Sequence, residues 1–335
     1  MAAGDAAGPS PIMRYPSTVL DQPLKNKDWK KYTKTVAKSG EGVSGGVYFF
    51  GSKKGPVKKV VVKPEAHGEA KDKDVANSLL ASAGVPVPKG RIVFPDTTEG
   101  RDIVAAGQRA GADLSLSGGG GIFDTKFFEV MSTVSGSSLS TASKKAAGGE
   151  SPEALAENIN QLVLLLSASN VRQQLATMMV RDAISGNVDR VMKDGLSNIG
   201  NIMIEKRNDN KALPRALQSR ITAIDSEGTT DEFAEQQQRD YVHNLNDLGK
   251  NPAIYVDRFF ESIVYYLDQT NAQAGAIFTG HQKYGALHQD LLTSLKQAAM
   301  KEALLGARSK ETKSEAPLEK ELRHRRMVLW DLLTS

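Results

Sequence analysis

The pattern of secondary structure changes about halfway along this 335-residue sequence. In the first half, runs of β-branched and aromatic residues predict strands at 43–50, 57–63 and 127–131, and one apolar helical period at about 68–83 predicts a helix. The second half is mainly helical. Its predicted helices lie at 153–167, 171–184, 252–269 and 284–305, with short strands at 201–205 and 220–225. This order predicts an α+β fold with two lobes, a β-rich N-terminal lobe and a mainly helical C-terminal lobe.

Composition divides the chain into four predicted parts. Residues 1–38 are rich in Ala, Gly, Pro, Ser and Lys without an apolar period, and we expect a disordered, basic arm there. Residues 39–135 form the predicted N-terminal lobe, in which the polar, glycine-rich residues 96–121 are read as a loop. Residues 136–306 form the predicted helical lobe, and residues 307–335 a charged tail with some apolar residues that could dock.

Composition also excludes several classes of function. The 43 basic and 39 acidic residues leave a net charge of only +4, which does not indicate nucleic acid as the main partner. The absence of cysteine excludes disulfides and cysteine-based zinc sites. The sequence has no apolar run of about 18 residues, so no transmembrane segment is predicted. Its first residues lack a signal-peptide pattern. The lysines around Trp29 and Tyr32 predict either a solvated arm or a peripheral contact with an anionic membrane or an acidic partner.

Two features of the first half are suited to binding phosphate. Ser44, Gly45 and Gly46 lie within a strand-like segment, where glycines let backbone N–H groups approach a phosphate chain, although an ordinary hairpin has the same composition. No Walker A pattern occurs. Lys63 ends the apolar run 60–62, from which its ammonium group could contact α- and β-phosphates; the alternative is a lysine that faces solvent.

The helix predicted after Lys63 offers that lysine an acidic partner. Glu69 and Asp72 share a helical face with the apolar residues of the helix, so both are expected to point inward. We prefer Glu69 as the partner and keep Asp72 as the alternative.

Polar residues at the ends of the two short strands predict a metal site. Asn201 precedes the first strand and Asp225 follows the second, so antiparallel pairing would bring them together. Amide and carboxylate oxygens are ligands that suit Mg²⁺. Asn198 is the alternative to Asn201, and Asp189 in the preceding loop could orient or deprotonate an attacking hydroxyl. The alternative is that these are unrelated turn residues.

Taken together, these motifs resemble the atypical kinases of the phosphoinositide 3/4-kinase-like and actin-fragmin kinase superfamily. Residues 187–190 (Asn-Val-Asp-Arg) look like the family's catalytic loop, and residues 198–204 and 223–225 look like its metal-binding segments. Residues 60–64 resemble the strand that carries the ATP lysine, and residues 128–131 resemble the hinge that contacts adenine. The resemblance covers about residues 40–270 and implies a two-lobed protein-kinase-like fold.

The resemblance also implies cofactors and roles for single residues. ATP and Mg²⁺ are the expected cofactors, with Asn201 and Asp225 holding the metal and Asp189 acting as base or orienting group. Lys63 would hold the α- and β-phosphates and pair with Glu69. The remaining nucleotide contacts implied are Glu129, Val130 and Met131 at adenine, and Ser44, Gly45 and Gly46 over the phosphates.

Two departures from the family pattern bear on the acceptor. Val191 stands where the family has a histidine, and the spacing from Asp189 to Asn201 is longer than in lipid kinases. The longer spacing resembles actin-fragmin kinase, so we expect a serine/threonine protein kinase whose substrate is a protein, with actin as one candidate. The alternatives are a phosphoinositide kinase, an enzyme that transfers AMP, and an inactive kinase-like scaffold. The expected location is the cytoplasm, or a host cell that receives the chain as a bacterial effector.

Overall fold

The computed structural model describes the following parts of the chain: residues 29, 34–39, 47–51, 60–65, 70–88, 90–111, 114, 125–134, 136–187, 190, 197–206, 219–224, 235–309 and 317–335. These residues divide into two compact units. The N-terminal unit lies within Met1–Asp74 and Val87–Val134, and the C-terminal unit lies within Val75–Pro86 and Ser135–Ser335. The later division falls beside the predicted lobe boundary at 135.

The N-terminal unit is built on one antiparallel sheet. Its strands are β1 (Lys34–Ser39), β2 (Val47–Gly51), β3 (Val60–Glu65), β4 (Gly90–Val93) and β5 (Phe127–Ser132). They lie in the order β1-β2-β3-β5-β4, so β5 pairs with both β3 and β4. Helix α1 (Ala70–Ser82) begins in this unit, and helix α2 (Thr98–Arg109) comes between β4 and β5 in sequence. The strands predicted at 57–63 and 127–131 are therefore confirmed with small shifts in their ends.

On β3 and β5, core valine and phenylalanine residues lie on one face of the sheet and the buried charged residues on the other. Successive residues of a strand point to opposite faces. On β3, Val60 and Val62 pack into the core of this unit, so Lys63 and Glu65 belong to the alternating set on the other face. On β5 the core residues are Phe128 and Val130. Helix α2 contributes to the same core, whose remaining buried members are Trp29, Tyr48, Phe50, Val93, Ile103, Ala106 and Leu114.

Of residues 1–38 the structure describes residues 29 and 34–38, and Trp29 corrects the prediction of disorder at its own position. Its ring is buried and packs edge-on against Phe50, with 6.2 Å between the ring centroids. The indole Nε1–H donates to Glu99 Oε1 at 3.1 Å, and Arg91 pairs with the same carboxylate. Strand β1 also begins within the predicted arm. A large aromatic ring among polar neighbours therefore marked a core residue, because burying it removes much apolar surface from water.

Helix α2 corrects the prediction that residues 96–121 form a loop. Thr97 caps the helix, since its hydroxyl accepts a hydrogen bond from the Gly100 N–H at 3.0 Å. Gly100 itself lies against the backbone of Phe94 and Pro95, where a side chain would not fit. The glycines that suggested a loop thus include one that lets the helix pack closely against the chain.

The C-terminal unit is mostly helical, with one small antiparallel sheet. Its first elements are β6 (Ser137–Ser138), α3 (Leu139–Ala146), α4 (Pro152–Ser167), α5 (Ser169–Ser185), β7 (Ile202–Lys206) and β8 (Ser219–Ala223). The later helices are α6 (Glu235–Lys250), α7 (Ala253–Asp268), α8 (Ala274–Thr279), α9 (Tyr284–Arg308) and α10 (Pro317–Thr334). The small sheet has the order β6-β7-β8. The helices predicted at 153–167, 171–184, 252–269 and 284–305 are confirmed as α4, α5, α7 and α9.

Helix α10 corrects the prediction that residues 307–335 are a charged tail. Leu322, Arg325 and Leu329 are buried, and their spacing places them on one helical face. The helix packs mainly against α9 and α6. Among the described residues, no helix is both long enough and apolar enough to cross a bilayer. The structure therefore has an α+β fold with antiparallel sheets and a majority of helices.

Candidate active site

The structure describes some of the predicted site residues and not others. Lys63, Glu129, Val130, Met131 and Asn201 are described. The predicted residues outside the described part of the chain are Ser44, Gly45, Gly46, Glu69, Asp189 and Asp225, together with the side chain of Asp72.

Lys63 lies in a buried cluster of charged side chains in the N-terminal unit. Its Nζ is 2.8 Å from Glu65 Oε1, two residues along the same strand. Lys73, on the second turn of α1, donates to that same oxygen at 2.7 Å and lies 3.7 Å from Glu129 Oε2. Lys63 and Glu129 are register partners between β3 and β5, so their side chains share a face of the sheet. All four side chains are buried.

The described members of this cluster carry charges of opposite sign in contact with one another. Two ammonium groups and two carboxylates meet away from water, where an isolated charge would be costly and a paired one is tolerated. One partner of Lys63 is Glu65 on its own strand, and Lys73 of α1 contacts the same carboxylate. The predicted pairing of Lys63 with Glu69 or Asp72 lies outside the described side chains. Sequence reasoning missed both Glu65 and Lys73. The i, i+2 spacing of Lys63 and Glu65 on a strand was the signal that could have found the first of them.

The predicted adenine contacts do not all lie on the face of Lys63. Glu129 and Met131 belong to that face by alternation, whereas the Val130 side chain packs into the core on the other side. Val130 also lies in register with strands on both sides, opposite Val62 in β3 and Arg91 in β4. The structure thus groups Glu129 and Met131 with Lys63 and separates the side chain of Val130 from them.

In the C-terminal unit, the end of α5 holds the predicted catalytic loop by an ion pair. Gly186 ends the helix with a φ of 80°, in the left-handed region that favours glycine. The Arg190 guanidinium then folds back, and its Nη1 lies 2.5 Å and 2.7 Å from the two oxygens of Asp182. Asn187 adds a backbone bond to the Asp182 carbonyl at 2.8 Å and a side-chain bond to its carboxylate at 3.2 Å.

The environment of Asp182 affects the charge of its carboxyl group. Burial raises the pKa of Asp182 above its ordinary value, and the Arg190 guanidinium and the Asn187 amide act in the opposite direction. Asp182 is 2% exposed and Arg190 is 0% exposed. Because water hardly reaches this site, the ionised form of Asp182 is stabilised by the Arg190 guanidinium.

The ends of the two short strands meet as predicted. Ile202 of β7 pairs with Ala223 of β8, and one step further the Ile224 N–H donates to the Asn201 carbonyl at 3.0 Å. The Ile224 carbonyl in turn accepts a hydrogen bond from Arg190 Nη2 at 2.8 Å. Asp182, Arg190, Ile224 and Asn201 are thus linked in one series of hydrogen bonds.

This series connects three segments that carry predicted site residues. Asp189 is the residue before Arg190 in the sequence, and Asp225 is the residue after Ile224. Asn198 precedes a short 3-10 turn (Ile199–Asn201) and Asn201 ends it, and the Asn201 N–H donates to the Asn198 carbonyl at 3.1 Å. The choice between the two asparagines as a metal ligand therefore stays open.

Sequence reasoning missed Asp182, which holds the loop. The signal was its place in an apolar helix: nearly every residue in the last two turns of α5 is buried, so a charged residue there requires a partner. The candidate metal ligands of this region are oxygen atoms only, which suits Mg²⁺. Within the described ranges, no group of three or more His, Asp or Glu residues could hold a metal ion.

Comparison with known proteins adds no family assignment. No protein-family model matches the chain, and no curated protein matches it.

Proposed function

We propose that this chain is an ATP- and magnesium-dependent phosphotransferase that phosphorylates a serine or threonine hydroxyl of a protein. The observation that carries the proposal is the hydrogen-bond series Asp182–Arg190–Ile224–Asn201, which is buried at Asp182 and Arg190. It joins the loop that includes Asp189 to the strand ends that include Asn201 and Asp225. Phosphoryl transfer needs such an arrangement, since its catalysis depends on positioning and on stabilising charge.

Each residue has a role in this proposal that follows from its chemistry. Asp189 would accept a hydrogen bond from the acceptor hydroxyl and orient it toward the γ-phosphate. Asn201 and Asp225 would hold Mg²⁺ through oxygen atoms. The metal, when bound, supplies positive charge at the β- and γ-phosphate oxygens. Asp182 and Arg190 touch neither substrate nor metal in this scheme and act as positioning residues.

The N-terminal unit supplies the proposed phosphate-binding cation. Lys63 is a buried ammonium group on a rigid strand, where a charge interacts more strongly with phosphate than it would in water. Glu65 is shared between Lys63 and Lys73, so the carboxylate restrains Lys63 without belonging to it alone. Glu129 and Met131 lie on the same face and are the adenine contacts that this proposal retains.

The preference for a protein acceptor rests on the resemblance to actin-fragmin kinase at the spacing from Asp189 to Asn201. A phosphoinositide acceptor, transfer of AMP and an inactive scaffold are the competing functions. The four functions predict different labelling results, so assays with γ-labelled and α-labelled ATP separate them.

The test is transfer of label from [γ-³²P]ATP with Mg²⁺ to cell-lysate proteins, purified actin and phosphoinositide vesicles. The variants are Lys63→Met and Asp225→Asn, and the matched control is Lys301→Met, which removes an exposed lysine of α9. We expect wild type and Lys301→Met to label protein, and both site variants to lose at least about 100-fold in rate. Label in the vesicles would favour a lipid kinase, and label only from [α-³²P]ATP would favour AMP transfer. No transfer of label from either nucleotide would contradict an enzymatic function.

A further inference from the structure

The C-terminal helix reaches the end of α5 with a buried arginine. Arg325 is 1% exposed, although it lies in a helix of high charge. Its Nη1 donates to the Ile184 carbonyl at 3.1 Å, and its Nε donates to Glu321 Oε1 at 2.8 Å within α10. A long cationic side chain has thus been taken out of water to contact a backbone carbonyl 141 positions away in sequence.

The carbonyl that Arg325 contacts is one that the helix itself leaves unbonded. The last four carbonyl groups of an α-helix have no partner within the helix, and Ile184 lies in the last turn of α5, which ends at Ser185. A cationic donor is favourable there because the C-terminal end of the helix dipole is negative. Arg325 therefore completes the hydrogen bonding of α5 at the point where the chain enters Gly186.

A second contact joins the same helices nearby. Glu302 of α9 accepts hydrogen bonds from Arg181 of α5 and, at 3.1 Å, from Arg326 Nε of α10. Burial lowers the pKa of Arg181, while Glu302 favours its charged form. Arg181 and Asp182 are consecutive, so the last turns of α5 bond the C-terminal helices on one side and Arg190 on another.

We propose that Arg325 is a positioning residue for the loop that begins at Gly186. By holding the last turn of α5, it fixes the direction in which Asp182 presents its carboxylate to Arg190. The effect on turnover rests on the proposed phosphotransferase function, whereas the effect on the loop itself does not. Displacing catalytic groups by about 1 Å can lower a rate by about 100-fold, so loss of this contact reduces turnover more than nucleotide binding.

The test compares three variants in the full chain. Arg325→Met removes the guanidinium and keeps an apolar stem, and Arg325→Lys restores a single cation. Leu329→Ala is the matched control, because it opens a cavity on the same buried face of α10 and leaves the Arg325 donor in place. The readouts are kcat and KM for ATP at a temperature where all variants are folded, and amide hydrogen exchange of peptides covering 182–190.

We expect Arg325→Met to lower kcat about tenfold or more with KM for ATP changed by less than about twofold, and Arg325→Lys to recover part of the loss. Exchange in peptides covering 182–190 should be faster in Arg325→Met than in Leu329→Ala. Equal exchange in these two variants would overturn the inference, whether or not the protein transfers phosphate. If wild type shows no transfer, faster exchange in Arg325→Met still supports positioning while the proposed function fails.

Discussion

Replacing Arg190 by Met tests whether the ion pair at the end of α5 is as isolated from water as the structure indicates. The guanidinium is fully buried and contacts both oxygens of Asp182. Methionine fills part of the same space without a charge, so the variant leaves the Asp182 carboxylate buried without the guanidinium. We expect the protein to unfold more easily than wild type.

The magnitude follows from the two contacts that are lost. Removing one partner of a buried ion pair typically costs about 3–5 kcal/mol, and the lost hydrogen bond to the Ile224 carbonyl adds about 1 kcal/mol. Together these approach the whole stability of many domains, which is about 5–15 kcal/mol. Without Arg190, burial raises the pKa of Asp182 further, and protonation limits the loss.

Protonation of Asp182 makes the loss of stability in Arg190→Met depend on pH. A carboxyl whose pKa is higher in the folded chain binds its proton more tightly there, so its stabilising contribution is present at low pH and decreases as pH rises through the folded pKa. Arg190→Met should therefore lose more stability, relative to wild type, at pH 8 than at pH 5.

The assay is urea unfolding followed by circular dichroism, with ΔG taken from the midpoint and slope. Arg172→Met is the matched control, since Arg172 lies on the same helix as Asp182 but pairs with the half-exposed Asp290, and its loss should cost at most about 1 kcal/mol. The double variant Asp182→Asn/Arg190→Met removes both charges and should recover part of the stability. A cost below about 1 kcal/mol for Arg190→Met, or a double variant that costs the sum of the two singles, would refute the reasoning.

Three further predictions concern the N-terminal unit and the small sheet. Lys73→Met should lower the free energy of unfolding more than Lys301→Met, because Lys73 is buried and contacts both Glu65 and Glu129 whereas Lys301 is exposed; equal losses in urea unfolding would contradict this. Trp29→Phe should cost about 1–2 kcal/mol, since the hydrogen bond to Glu99 is lost, and unchanged stability in the same assay would place the ring outside the core. Gly136→Ala should lower the melting temperature more than Gly84→Ala. Both glycines have positive φ, but only at Gly136 would the added methyl group meet the Ile204 carbonyl. Equal shifts of the melting temperature in calorimetry would contradict this prediction.

Elements with a strong local pattern could be predicted from the sequence. The run at 60–62 is apolar without interruption, and α5 repeats its apolar residues at helical spacing, so each element follows from its own residues. Helix α2 could not be predicted in this way, because its buried face includes Gly100 and Ala106, small residues whose burial depends on what packs against them. Helix α10 was missed for a related reason: Arg325 looks like a surface residue until its contact with Ile184 is known.

The candidate site, like the fold, was predictable where local sequence determines the structure. The meeting of the strand ends at Asn201 and Ile224 follows from antiparallel pairing of two neighbouring strands, which local sequence indicates. The partners of the buried charges follow from local sequence only in part. Strand alternation places Glu65 on the face of Lys63. Asp182 pairs with Arg190 eight positions later across a helix end, and only the tertiary structure selects that partner from the basic residues nearby.

The placement of these buried charges is better explained by positioning than by stability. Well-packed apolar residues can often replace a buried ion pair without loss of stability, so stability alone does not require charge at the end of β3 or in the last turns of α5. Both clusters nevertheless lie where the proposed chemistry needs fixed side chains: one restrains Lys63, and the other holds Arg190 against the Ile224 carbonyl. Ion pairs and hydrogen bonds are directional, whereas apolar packing tolerates small shifts, and a phosphotransferase depends on direction. Measuring kcat per folded protein for Arg190→Met and for Asp182→Asn/Arg190→Met would separate these explanations, because a purely structural pair would change stability and leave that kcat unaltered.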